Sequence, residues 1–203
     1  RQKPNWPIIF LFGLIAVFAG YSAWYGIYEG YSFGNWMLFI ALYCFTGFGV
    51  TLGNHRLETH GGFKCNVVLE VFLLIGGCMA AQKSPRGWVG THRLHHKYAD
   101  EPMDPHSPRK KWMLSGPFWA HMGWMMFPYQ YTQEEFDVMV RDLDRRKLIR
   151  VMNRLSFPLV LAGFVLPFIL FGWEGLLLSG FLRLFMVHQI TFSVNSLTHM
   201  ERG

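Results

Sequence analysis

Five of the nine histidines fall in two short runs, His55-Arg-Leu-Glu-Thr-His60 and His92-Arg-Leu-His95-His96. Imidazole nitrogen is a borderline ligand suited to iron, zinc, copper and nickel, so two compact histidine clusters point to a metal centre. Residues three and four apart share a helix face, and His92, His95 and His96 can therefore converge on one site. His55 and His60 are five apart, which turns the second about 140° from the first on a regular α-helix. They share a centre only if the helix ends or bends there; otherwise they serve different metals. Gly61-Gly62, directly after, fits such an ending. A third element is Asn195-Ser-Leu-Thr-His199. Its i,i+4 spacing places Asn195 to hold a metal-bound water and His199 to complete a coordination sphere. The competing reading makes His199 a terminal residue facing the helix dipole. Glu58 and Asp104 are acids that can orient a ligand ring. His106, His121 and His188 read as packing residues or as hydrogen-bonding neighbours of the ligands.

The elements that must position these residues are apolar. Hydrophobic residues make up 51% of the 203 and charged residues 16%, against about a quarter charged in a soluble domain. Four runs, about 7–27, 36–52, 155–173 and 175–194, are each long enough to cross a ~30 Å hydrocarbon layer as a helix. A fifth, Val67 to Ala81, is shorter and interrupted by Glu70 and Gly76-Gly77, and reads as an interfacial helix. The connections near Gly26 to Asn35 and Gly172 to Gly175 carry Glu29 and Glu174 but no Lys or Arg. By contrast, 54–154 holds fifteen of the nineteen basic residues. Basic segments stay in the cytoplasm, which puts both histidine runs and both chain ends there. Within that segment a polar helical stretch, Glu134 to Arg154, follows Thr132, an N-cap with Glu135 three residues on. Arg183 lies inside the fourth run and is expected to face the protein interior with a partner.

The expected fold is all-α and membrane-integral. One domain over 1–203 would have four transmembrane helices in two hairpins, with a cytoplasmic helical cap at 54–154 carrying the histidines. Topology accounts for the net charge of +6, so no nucleic-acid partner is expected. Cys44, Cys65 and Cys78 form no CxxC pair and support neither a disulfide framework nor a zinc ribbon. A metal transporter would place its ligands near the bilayer midplane; here the clusters lie outside the spans.

His55-Arg-Leu-Glu-Thr-His60 resembles the first histidine box of the membrane fatty-acid desaturases. Trp88-Val-Gly-Thr-His-Arg-Leu-His-His96 resembles the second. Asp104-Pro-His106, His121-Met-Gly-Trp124 and Asn195-Ser-Leu-Thr-His199 are similar to further segments of the acyl Δ9 group, in the same order over almost the whole chain. The resemblance implies a non-haem centre of two irons using O2 as co-substrate. Its ligands would be His55, His60, His92, His95, His96 and His199, with Asn195 acting through a water. Gln82 and Trp88 would line the acyl tunnel. It also implies a fatty acyl substrate, a membrane-lipid setting and an electron donor such as ferredoxin or cytochrome b5. Gly87, Gly90, Thr91 and Met125-Met126-Phe127 stand where animal members carry charged residues, so the carrier, acyl-CoA, acyl-lipid or acyl carrier protein, stays open. A membrane hydroxylase or ketolase shares the box logic but inserts oxygen. The family's third box, HxxHH, is expected beyond Gly203, which marks the chain as a fragment lacking it.

Overall fold

The computed structural model describes residues 3–99, 101, 103–107, 116–127 and 131–197. Among them no strand occurs. Helix α1 (Trp6–Tyr28) starts at a proline in its first turn, and α2 (Phe33–Thr59) at Ser32, whose hydroxyl accepts from the Asn35 amide. Asn66 caps α3 (Val67–Met79) in the same way, and Ser84 with Pro85 opens α4 (Pro85–Lys97). Short helical turns cover 116–126. The capping box expected at Thr132 and Glu135 opens α5 (Gln133–Arg145). The polar stretch is not one helix, however. Arg146 adopts φ −86°, ψ 119° and breaks it, so 147–154 belong to the next helix, α6 (Lys147–Gly175). Helix α7 (Arg183–Leu197) follows through π-helical turns at Leu176–Leu182.

Among the described residues, three helical stretches are long and apolar enough to cross a membrane: Trp6–Tyr28, Phe33–Thr59 and the 51 residues Lys147–Leu197. The third folds back on itself. Phe171 and Gly172 leave helical geometry, Gly172 at φ +59°, a left-handed conformation that glycine adopts without a Cβ penalty. Beyond the break Arg183 reaches the Gly163 carbonyl, and Gly180 lies against Phe164, so the two arms run antiparallel. The outward faces of these helices stay apolar, as Phe10, Val17, Ile27, Phe157 and Ile169 show.

Buried positions follow helical spacing: Ile15, Ala19 and Ser22 on α1, and Asn35, Phe39, Leu42 and Thr46 on α2. Helices α2 and α3 cross at Gly49, Gly76 and Gly77, where backbones touch. A Cβ on Gly76 would stand 2.5 Å from the Phe45 carbonyl oxygen. Such small-residue crossings are how helices associate without a hydrophobic driving force. At the end of the bundle that lacks basic residues, Glu174 accepts from Tyr25 Oη (3.1 Å) and Asn35 Nδ2 (2.7 Å), tying both hairpin turns together. At the opposite end, Leu74, Val89, Val140, Leu143, Ile149 and Met152 form the core joining α3, α4, α5 and α6. That core fixes α4, and with it the second histidine run.

Candidate metal centre

The first run does not sit on a regular α-helix. Residues Gly49–Thr59 are wound as a π-helix, and the His60 amide donates to the His55 carbonyl at 3.2 Å, an i→i+5 bond. Five residues then make roughly one turn instead of leaving a 140° offset. The imidazoles of His55 and His60 consequently lie on one side, ring centroids 4.7 Å apart. Gly61, at φ +57°, ends the helix directly after.

Helix α4 brings His92 and His96 to the same place. Their rings lie 4.8 Å from those of His55 and His60 respectively, and His92 Nε2 and His96 Nε2 are 3.0 Å apart. One ring nitrogen from each of the four residues lies within 4.8 Å of the other three. Metal–imidazole bonds of about 2.0–2.1 Å put neighbouring ligand nitrogens about 3 Å apart, and the donor set therefore fits a first-row metal ion. Burial, with nearby His55 and His96, pushes the His92 imidazole down to about 2. Its ring is neutral at physiological pH, the form that offers a lone pair.

His95 does not join this group, although its spacing allows all three histidines of the run to converge. Its ring lies 5.9 Å from that of His92 and 5.4 Å from that of His96, and it meets a buried pair of partners of its own. His95 Nδ1 meets Asp104 Oδ1 at 2.9 Å, the His106 backbone amide donates to the same oxygen at 3.0 Å, and the His106 ring lies 3.9 Å from that of His95. Asp104 is fully buried, His95 and His106 nearly so. Asp104 thus stands where it can orient the His95 ring. Glu58 does not: its carboxylate pairs with Arg146 at 2.5 Å, and Arg146 also meets Glu70. It anchors the first run to the start of α6 and touches no imidazole. Arg93, inside the second run, bridges further, donating to the Glu58 carbonyl (3.0 Å) and to Asp142 (2.7 Å). Ion pairs from Arg86 to Asp137 and Asp144 hold α4 on α5.

A cavity of about 400 Å³ opens beside the four-imidazole group. Its walls are largely apolar, with Ile8, Leu11 and Phe12 from α1 and Phe192 from α7; His92, His106 and Asn195 reach it from the polar side. Gln82 and Trp88 both line it, and Gln82 Nε2 donates to Thr191 Oγ1 at 3.0 Å. Asn195 therefore stands on the same cavity as His92. His199 lies outside the described residues, as do Arg109, Lys110 and Lys111, the basic run that the sequence offers to an anionic headgroup or an acidic electron donor. His121 is apart from both histidine groups, bonded to Ser196 (3.1 Å) and Gln189 (2.9 Å). Thr191 and the contribution of α1 escaped the sequence reading. The spacing His188, Thr191, Asn195 was the available signal for Thr191, since these share a helix face; for α1, nothing local marked the cavity side.

The His92 shift has a measurable consequence. Above about pH 6.5 this group is neutral folded or unfolded and contributes no slope. Below it the unfolded chain takes up a proton that folded His92 refuses until near pH 2. Stability of the metal-free protein therefore falls as pH falls, by about 2 kcal/mol from this group between pH 6.5 and 5.0. Thermal unfolding in detergent at the two pH values should show that loss, and His92→Gln should flatten it.

The family model described as fatty acid desaturase matches residues 31–201. The sn-1 stearoyl-lipid 9-desaturase of Synechocystis sp. is 34% identical over 98% of this chain and 60% of its own length. The probable acyl-CoA desaturase of Schizosaccharomyces pombe is 33% identical over 97% of this chain and 40% of its own. For the stearoyl-CoA desaturase of Sus scrofa the identity is 34%, over 79% and 46%. The chain spans about half the length of the curated relatives it matches.

Proposed function

We propose, for a chain that belongs to the fatty acid desaturase family, that it carries out O2-dependent desaturation of a long fatty acyl chain, of the Δ9 type, at a histidine-held pair of irons. The observation that carries the reading is the convergence of four imidazoles beside a largely apolar cavity that one of them, His92, lines. His55, His60, His92 and His96 would hold one iron. His95, with His199 and with Asn195 through a water, would serve the other. Bound iron supplies the activation of O2 needed to break unactivated C–H bonds, which no acid–base group in the chain can do.

The protein's own part is placement. The apolar walls bind methylenes and exclude water, and the neutral His92 ring adds no charge to them. Asp104 accepts the Nδ1 proton of His95, which fixes the tautomer and turns Nε2 toward a ligand position. Gln82 and Thr191 present a hydrogen-bonded polar step in the cavity wall. Four spans in two hairpins, with the cap on the cytoplasmic side, fit the antiparallel arms of α6 and α7 and the concentration of basic residues at the histidine end. An acyl-lipid or acyl-CoA headgroup would approach from that side, as would a donor such as ferredoxin or cytochrome b5.

The deciding experiment expresses the protein in a host unable to desaturate its acyl chains and follows lipid composition by gas chromatography with mass spectrometry. New monounsaturated chains, dependent on O2 and iron, are the expected result. Products carrying an added hydroxyl or keto oxygen would replace this reading with a hydroxylase.

A further inference from the structure

An α-helix leaves its last carbonyls without partners, and α3 ends in the interior, where Cys78 and Ala80 are fully buried. The Cys78 carbonyl is taken by the Ala81 amide at 3.0 Å. The next two carbonyls are taken by side chains from α7: Arg183 Nη1 donates to Met79 O (3.4 Å) and His188 Nε2 to Ala80 O (2.8 Å). Arg183 is fully buried and, among the described residues, pairs with no carboxylate. Its other donors meet Ser179 O (2.6 Å), Thr46 Oγ1 (3.3 Å) and Gly163 O (3.4 Å). A cation without a counter-ion is costly in an apolar interior, and here oxygen dipoles, including the negative end of α3, offset it.

The turn beyond the clamped carbonyls is strained. Ala81 stands at φ +52° and Lys83 at φ +80°, left-handed positions taken by residues that carry a Cβ. Such strain persists only where the surroundings over-determine it. Between the two lies Gln82, whose amide reaches Thr191 on the cavity wall. One helix, α7, thus holds Met79, Ala80 and Gln82 through Arg183, His188 and Thr191.

We infer that Arg183 and His188 are positioning residues: they clamp the end of α3, fix the strained turn that presents Gln82, and so set which carbons of the acyl chain lie opposite the histidines. The inference rests on the desaturase reading for its effect on product, while the clamp itself is testable without activity. Arg183→Gln removes the charge, Arg183→Lys keeps it with a single donor centre, and Gly163→Val acts from the opposite side, since even a Cβ there comes within 3.1 Å of Arg183 Nη2.

The first readout is hydrogen exchange by mass spectrometry in detergent. Peptides covering 79–83 should exchange about tenfold faster in Arg183→Gln and Gly163→Val, with α1 peptides unchanged and Arg183→Lys intermediate. The second is double-bond position in the products. Both variants should spread unsaturation to neighbouring carbons, Gln82→Leu should do the same, and Arg183→Gln should add nothing in the Gln82→Leu background. Unchanged exchange at 79–83, or faster exchange throughout, overturns the clamp. Unchanged bond position in active variants, or additive shifts, overturns its link to Gln82. A wild-type protein that makes no unsaturated product defeats the desaturase reading instead, and exchange alone then decides the clamp.

Discussion

Replacing His92 with alanine is expected to weaken metal binding by about 100-fold or more and to abolish unsaturated product, leaving the helical content of the protein intact. His92 is the hub of its group: its ring lies 4.6 Å from that of His96, 4.8 Å from that of His55 and 5.5 Å from that of His60, and it also lines the cavity. Deleting it removes one of four nitrogen donors and opens the site to water. Supporting groups around metal sites already cost 10–100-fold when removed, and a direct ligand costs more. His121→Gln is the control, an imidazole bonded to Ser196 and Gln189 and outside both groups; it should retain metal. The check is metal content after purification in iron-supplemented medium, read beside circular dichroism. Wild-type metal content in His92→Ala would remove the four-imidazole group from consideration.

The second large effect is expected at Asp104. Alanine there strips His95 of its acceptor and the His106 amide of its partner in a fully buried position. Each of these buried hydrogen bonds to a carboxylate contributes about 1.5–3 kcal/mol, so Asp104→Ala should melt several degrees lower. Metal binding should weaken 10–100-fold, because a ligand histidine without its carboxylate loses both tautomer and orientation. Asparagine keeps an acceptor but not the charge, and should fall between wild type and alanine in an anaerobic Fe(II) titration. If Asp104→Ala lowers the melting temperature while binding iron as wild type does, the pair is purely structural and His95 needs another account.

Much of this site was legible in the residues. The ligand types, the two runs, the i,i+4 partnership of His92 and His96 and the cap at Thr132 all follow from local rules that neighbouring residues state completely. The break near Gly172 was announced by glycine and the absence of basic residues, and the buried Arg183 by the cost of a charge in an apolar run. Three features were not legible. The π-helical winding that aligns His55 with His60 depends on how α2 packs against α3 at Gly49, Gly76 and Gly77. The departure of His95 from its neighbours depends on Asp104 and His106, which fold back onto it from the segment that follows α4. Glu58 lies between two histidines in sequence, yet Arg146, 88 residues away, claims its carboxylate.

By itself, then, the sequence determined an all-helical, strongly apolar chain with histidines concentrated at its basic end, because hydropathy, capping and ligand chemistry are properties of short segments. Only the tertiary structure decided which imidazoles meet, which acid serves them and where Gln82 stands on the cavity. Those are contacts between residues far apart in the chain, set by backbone approach at glycines and by the need of buried carbonyls and charges for partners, and no local pattern encodes the partner's address.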